Sequence, residues 1–505
     1  MSARRRFFLN GTMLTIVGLS IKTVALFFGA FVSRSIGAEG TGLYTLVMTV
    51  YSFAVTFATS GVSLTVTRLV ATAIGEGDRD EISRIMRGAV LYSLVFSATA
   101  TLILFFGASF FASRVLLDER AVASLKILSA SLIPSALSAV FAGYFVGIKR
   151  VGANAAVQVT TQLAKVLLTA MLVIRATEYG TAMAVAALCI GLTVAELVAF
   201  FLMLLQFALD RRRTMCKGRR GVSLSPVLEM ALPLAFSAYI RSGLLTLEHI
   251  LIPKSLRKSG DDPDEALASY GTLHGMALPT LLYPMSPLTS FSGLLVPEFA
   301  ESAAEGNEKR MRRITEEVTT VTLTYAIAVS VMLYIFSEEI GYVIYDSYGA
   351  GKYIALIAPI VPVMYLDHVT DSMLKGIGEQ VYSMWVNISD SVLSIFLVWL
   401  LIPKMGISGY AIVIIVMEAY NFILSLLRLK CKIKFSFDPA KCLLLPLFSA
   451  LLSAQLTKSL FVFCGVGASG YWLFMKITFS ACAFIVFLKM LGAPFTLFRK
   501  KEKCS

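Results

Sequence analysis

The chain is short of charge, of histidine and of paired cysteine, and each shortage closes off a class of function. Of its 505 residues only 15% are Asp, Glu, Lys or Arg, where a soluble protein carries roughly 25%. Too little polar surface is present to cover a water-soluble body of this size. His249, His274 and His368 stand far apart and make no metal-ligand spacing. Cys189, Cys216, Cys431, Cys442, Cys464, Cys482 and Cys504 are scattered without pairing, so no disulfide framework is expected. No nucleophile–base pair, metal motif or nucleotide-cradling loop occurs, which argues against an enzyme and against any cofactor or metal. No low-complexity segment stands out.

What the chain has is hydrophobic length. Apolar residues make up 57% and come in runs of about 20, enough to cross a ~30 Å hydrocarbon core as helix. The expected fold is therefore all-α and integral to the membrane. Fourteen spans are expected near 11–33, 43–66, 88–112, 125–147, 155–176, 182–209, 226–252, 268–297, 315–336, 354–376, 381–402, 405–427, 441–463 and 470–492. Arg4-Arg5-Arg6 precedes the first run like a signal peptide, but no small-residue cleavage site follows, and the run reads as an uncleaved span.

The net charge of +13 is not a nucleic-acid signature, because the basic residues fall in alternate short connections. Examples are Lys149-Arg150, Arg211-Arg212-Arg213, Arg312-Arg313 and Arg428 with Lys430, Lys432 and Lys434. That alternation places those connections and both termini in the cytoplasm of a plasma-membrane protein, with anionic membrane lipids as expected partners.

An internal repeat emerges at one constant offset. Glu76-Gly77-Asp78 matches Glu305-Gly306-Asn307, Arg84-Ile85 matches Arg313-Ile314, and Gly42, Gly147, Gln158 and Gly180 match Gly271, Gly376, Asn387 and Gly409. Six helices separate the copies, so the halves share one orientation about an axis along the membrane normal. The organisation expected is a six-helix lobe over 1–210, a basic cytoplasmic linker over 211–225, a second lobe over 226–430 and an added helix pair over 441–492. Segments 76–87 and 305–316 read as amphipathic helices lying on the membrane surface.

Three cations sit near mid-span: Lys22, Lys165 and Arg241. A charge at the bilayer centre costs about 2.5–3.5 kcal/mol even on lenient scales, so such residues are expected to face a cavity. Together they would make a site for an anionic group. In the fifth span Asn154, Gln158, Thr161, Gln162, Lys165 and Thr169 recur at helical spacing as a polar stripe. It reads either as a cavity wall or as hydrogen bonding between helices. Ser237 and Glu248 share a face with Arg241, and Asn387 adds a further polar lining position. Arg241 either meets a ligand or pairs with an acid on another helix, such as Glu196 or Asp390. Arg68, at the inner end of the second span, is a candidate for admitting an anionic headgroup, or snorkels to lipid phosphate. Glu196, Asp390 and Glu418 are mid-span acids that could carry a coupling proton or sodium ion. Asp367, Asp371 and Lys375 form an i, i+4, i+8 row, with the last two spaced for a salt bridge.

Several stretches resemble a known family. Gly40-Thr-Gly-Leu-Tyr-Thr-Leu, Ala58-Thr-Ser-Gly-Val and Arg68-Leu-Val-Ala look like the second helix of polysaccharide-export proteins. Pro233-Leu through Arg241, Leu247-Glu248-His-Ile-Leu-Ile-Pro253, Tyr270-Gly-Thr-Leu-His-Gly-Met-Ala-Leu-Pro279 and Leu295-Val-Pro-Glu298 resemble the stage V sporulation protein B family. That family belongs to the multidrug/oligosaccharidyl-lipid/polysaccharide exporter superfamily, alongside the lipid II flippases. The resemblance implies two six-helix lobes, a central cationic cavity, and a final helix pair extending a groove for a lipid tail.

The leading expectation is a flippase that moves an undecaprenyl-pyrophosphate-linked saccharide from the cytoplasmic to the outer leaflet by alternating access, working beside cell-wall synthesis enzymes. The alternatives are a cation-coupled drug antiporter of the same superfamily, and a non-transporting scaffold for cell-wall or spore assembly. The antiporter would need an acid in the first lobe, where Glu196 is the mid-span candidate and the first helix offers none.

Overall fold

In the computed structural model, which describes residues 3–148, 150–214, 221–260, 262–436, 440–464 and 470–491, the apolar runs are helical almost throughout. A backbone in hydrocarbon has no water to bond, and a helix satisfies its N–H and C=O groups within one segment. Among the described residues ten helical stretches are long and apolar enough to cross a membrane, or eleven counting the pair Ala121–Ser129 and Leu132–Gly147, bent by 41°. Two are too long for one crossing: Gly18–Glu76 with 59 residues and Gln380–Lys432 with 53. Each breaks at a glycine in the left-handed region, Gly37 (φ 72°) and Gly406 (φ 60°), where a Cβ would be strained.

With those breaks the helices follow the fourteen expected spans. They are α1 (3–36), α2 (38–76, interrupted at Gly61), α3 (Arg79–Phe110), α4 (121–147), α5 (Val151–Ala176), α6 (Thr181–Thr214) and α7 (Ser225–Lys258). They continue as α8 (263–304), α9 (Glu308–Ile335), α10 (348–376), α11 (380–405), α12 (407–432), α13 (440–463) and α14 (Gly470–Met490). Among the described residues the fold is thus all-α. In α8, Pro279, Pro284 and Pro287 each lack an N–H, and the helix passes through a widened turn at Gly271–Ala277 and a tight one at Tyr283–Met285.

The surface helices expected at 76–87 and 305–316 are not separate. Asp78 caps α3 by accepting from the Glu81 amide (2.9 Å), and Asn307 caps α9 by accepting from the Arg310 amide (3.0 Å). From each cap the helix runs unbroken into the span, because no proline or left-handed glycine interrupts it. At 1.5 Å per residue the 32 residues of α3 reach about 48 Å, so its first turns stand clear of the hydrocarbon.

The chain divides into two compact units, Met1–Gly271 and Thr272–Ser505. The division falls within α8 rather than in the connection over 211–225, of which residues 215–220 lie outside the described residues. Helix α7, with Arg241, therefore groups with the first unit.

The repeat has a physical basis in both units. Gly77 (φ 76°) and Gly306 (φ 65°) end their helices alike. The Asp78 amide reaches the Ala73 carbonyl and the Asn307 amide the Ser302 carbonyl, each at 3.0 Å. A Cβ on Gly147 would lie 3.0 Å from the Thr67 oxygen and 3.1 Å from Val70 Cβ. On Gly376 it would meet Val296 and Phe299, the repeat mates of Thr67 and Val70, at 2.9 and 2.6 Å. Within lipid, helices associate through such close packing rather than through exclusion of water, which is why these glycines recur. Gly42 and Gly271 instead meet one crossing. A Cβ on Gly42 would lie 2.1 Å from the Leu267 oxygen, and one on Gly271 2.3 Å from the Ala38 oxygen. The offset that carries Gly42 onto Gly271 also carries Ala38 onto Leu267, so the contact maps onto itself as a twofold would require. Gly180 and Gly409 are not equivalent: the positive φ of Gly180 (99°) is matched by Gly406, three residues earlier than its mate.

Candidate functional site

The residues proposed to bind substrate are held by α1, α5 and α7, all in the first unit. Lys165, midway along α5, is half-buried and faces α1, its Nζ 5.9 Å from the centroid of the Phe28 ring. Its electrostatic partner is Glu196 on α6. No ion pair joins them among the described residues, and Glu196 is hydrogen-bonded to Ser135 of α4. Nearby, the Tyr51 and Ser131 hydroxyls lie 2.7 Å apart. Lys22 and Arg241 are exposed and have no ion-pair or hydrogen-bond partner among the described residues. Glu196, one of the two acids weighed as a partner for Arg241, thus faces Lys165.

Packing of α7 on α2 decides which face of α7 stays open. The Tyr239 hydroxyl donates to the Phe57 carbonyl (3.0 Å), the Ser242 hydroxyl to Thr56 Oγ1 (3.3 Å), and a Cβ on Gly243 would touch Phe53. Arg241 lies between these anchors and remains outside the contact. Pro233 lies within the same helix.

The polar linings divide. Asn154 and Gln162 are half-buried and Gln158 is exposed, so the α5 stripe spans the edge of a packed face. The Thr161 and Thr169 hydroxyls are buried without a hydrogen-bond partner among the described residues. Ser237 donates to the Leu234 carbonyl (2.9 Å), and the Asn387 amide to the Ser383 carbonyl (2.7 Å). Both are therefore occupied by their own helices. Glu248 is half-buried and Arg68 exposed.

The second unit gathers three acids from three helices. Glu418 on α12 lies within Coulombic range of both Asp367 on α10 and Asp390 on α11, and Asp367 is hydrogen-bonded to Ser425. Asp371 pairs with Lys375, as its spacing predicts. The sequence reading set Asp367 in a structural row and missed this cluster, because the approach of α10 to α12 is tertiary.

Other charges passed over in sequence act as fasteners. Asp210, buried at the end of α6, accepts from the Tyr144 hydroxyl (2.8 Å) and from Arg150. At the corresponding joint of the second unit, Glu379 accepts from Arg428 (2.7 Å) and Lys432 (2.7 Å). Lys432 and then Arg428 hold its carboxyl below the usual range. In α14, Lys476 is only 4% exposed and meets Glu339 at 2.8 Å. Its signal was a lysine inside an otherwise apolar span. Among the histidines, His249 lies 3.1 Å from the Tyr270 hydroxyl, and His274 bonds and stacks on Tyr410.

A many-span helical body with polar residues inside its bundles and an internal repeat is the build of a membrane transporter. Residues 8–303 match the model of the polysaccharide biosynthesis protein family, and residues 258–400 match the MatE model. The chain belongs to the polysaccharide biosynthesis protein family. It is 25% identical to stage V sporulation protein B of Bacillus subtilis (strain 168) over 421 residues, 81% of each protein. Its fold is similar to the lipid II flippase MurJ in an inward closed conformation, with TM-score 0.69 and 14% identity over 96% of this chain and 98% of that one. It is also similar to an inward-facing multidrug resistance MATE family transporter of the MOP superfamily, with TM-score 0.67 and 17% identity over 83% and 98%. The architecture is the many-span, all-α membrane fold that these two solved transporters share.

Proposed function

We propose that the protein moves an undecaprenyl-pyrophosphate-linked saccharide, a peptidoglycan precursor such as lipid II or another polysaccharide unit, from the cytoplasmic to the outer leaflet of the plasma membrane. Both termini lie in the cytoplasm in this reading, and the two repeats alternate access. The observation that carries it is the set of three mid-span cations in one unit, two of them without a partner among the described residues. A pyrophosphate supplies the missing counter-charge, and the arginine fork suits it geometrically. The prenyl tail stays in lipid, beside the α13–α14 pair. Asp390 and Glu418, with Asp367, are the candidate carriers of a coupling proton or sodium ion. The kinship with a sporulation protein and the fold of a lipid II flippase support this substrate class, and cell-wall synthesis enzymes are the natural neighbours.

The test is rescue of cells depleted of their own lipid II flippase. The intact chain restores growth, while Arg241→Ala and Lys165→Ala, inserted at normal levels, do not. Rescue by both variants would remove the cationic site from the mechanism. A second reading, a cation-coupled drug antiporter, draws on Glu196 as a mid-span acid in the first unit. Drug efflux abolished by Glu196→Gln would favour it. Undiminished function after joint neutralisation of Lys22 and Arg241 would favour a non-transporting scaffold.

A further inference from the structure

Where α1 turns into α2, α3 into α4 and α7 into α8, a single guanidinium gathers carboxylates from three places in the chain. Arg120 donates to both oxygens of Asp118 (Nε to Oδ1 2.9 Å, Nη2 to Oδ2 2.8 Å), to Glu39 at the start of α2, and to Asp264 at the start of α8 (3.0 Å). The hydrogen bonds it donates to Asp118 first, and to Glu39 next, hold the guanidinium above its ordinary pKa. Asp118 is 8% exposed. The residue before it, Leu117, takes a left-handed φ of 56° and offers its carbonyl to Arg257 at 3.0 Å, from the end of α7. A side chain in that conformation is uncommon and persists only where its surroundings fix it. The joint is thus set from several directions at once.

Directly beside this cluster lies the self-matching crossing of α2 and α8, with Gly42 against Leu267 and Gly271 against Ala38. Backbone this close leaves no room for a side chain between the two helices at that point. The glycine contact is made of dispersion and shape alone, which fall away within an ångström of separation. The ionic cluster acts over a longer range and joins the same two helices. A forked donor holding three carboxylates is directional, and with Glu39 and Asp264 one-third and more than half exposed, water can replace its bonds when the helices part.

We propose that Arg120 is a latch that holds the outer ends of α2 and α8 together and must release for the outward-open state to form. The latch rests on the transport reading above for its direction, since that end is outer when the termini are cytoplasmic. Arg120 binds no substrate in this scheme and acts on the equilibrium between states.

The experiment reads accessibility rather than transport. Ala38→Cys is introduced into a chain whose native cysteines are serine, and labelling by a membrane-impermeant maleimide is timed from the outside of intact cells and from the inside of inverted vesicles. Arg120→Ala raises the outside labelling rate about 5- to 10-fold, the size of a typical coupling between sites. Glu39→Gln combined with Asp264→Asn, which leaves the Arg120–Asp118 contact in place, raises it by a smaller factor and serves if Arg120→Ala does not insert. Unchanged labelling in both variants overturns the latch, as does labelling gained only from the inside. A rise in labelling from a chain that never rescues flippase-depleted cells leaves the latch standing and removes the substrate reading.

Discussion

The two halves of the repeat keep their backbone geometry and exchange their charges. After the second helix of each half comes a left-handed glycine followed by a capping side-chain oxygen, Gly77-Asp78 and Gly306-Asn307. The fourth helix of each crosses the second at a glycine, Gly147 or Gly376. At the next joint the sign reverses. Arg150 meets a buried Asp210 in one half, whereas its repeat mate Glu379 meets Arg428 and Lys432 in the other. The interiors differ in grouping too: Lys165 faces a single acid, Glu196, whereas Asp367, Asp390 and Glu418 lie near one another. Turns and crossings need particular backbone conformations, which few residues supply. A salt bridge needs only opposite signs, so its polarity is free to differ, and function can specialise the halves.

The glycine crossings offer the largest test. Adding a side chain where a Cβ would already lie too close is an overpacking change, costing typically 1–3 kcal/mol and sometimes more. Gly376→Val is expected to lower the melting temperature of purified protein more than Gly147→Val, because the approach is 2.6 Å against 3.0 Å. Equal tolerance of valine at both sites would break the equivalence.

These glycines also show what could be read before the structure. Span number, the all-α fold and the repeat were legible, because hydrophobic length and left-handed turns are properties of short segments. The matches Gly147–Gly376 and Gly42–Gly271 stood in the sequence as bare coincidences, and only the packing reveals one as a shared crossing and the other as a contact between mates. The candidate site was legible as a list of mid-span charges. That Lys165 answers to Glu196, and Asp367 to Glu418, depends on which helices touch. The Arg120 cluster was invisible for the same reason: Glu39, Asp118 and Asp264 look like ordinary loop charges until the joints are brought together.

The charge-reversed joints should differ in strength as well as sign. Asp210 is 5% exposed and also accepts from the buried Tyr144 hydroxyl. Asp210→Ala strips both groups of that acceptor, and a buried polar group losing its partner costs about 1–3 kcal/mol. Glu379→Gln touches a water-open pair and is expected to cost below about 1 kcal/mol. Denaturant or thermal melts of the two variants give the order, and a reversal would mean that burial does not govern these joints. Of similar size to the weaker effect, Asp78→Ala and Asn307→Ala should each cost about 1 kcal/mol as lost helix caps. Exchanging the caps, Asp78→Asn with Asn307→Asp, should change the melting temperature hardly at all.

The smallest effect carries a sign. Glu379 titrates below the usual carboxylate range because Lys432 and Arg428 favour its charged form. A group with a depressed folded-state pKa stabilises the fold above its unfolded value, and that contribution is lost as the pH falls through the folded one. The unfolded value lies near 4.3. Acidification through and below that value should therefore destabilise the intact protein more than Glu379→Gln, whose neutral amide has nothing to protonate. The partners are partly exposed, so the gap should stay within about 1 kcal/mol and shrink as salt screens the pair. Hydrogen exchange at the α10–α11 joint, followed against pH in both proteins, reads this locally. A pH response that survives Glu379→Gln at full size would assign acid sensitivity to another carboxylate and detach it from the reversal of charge between the halves.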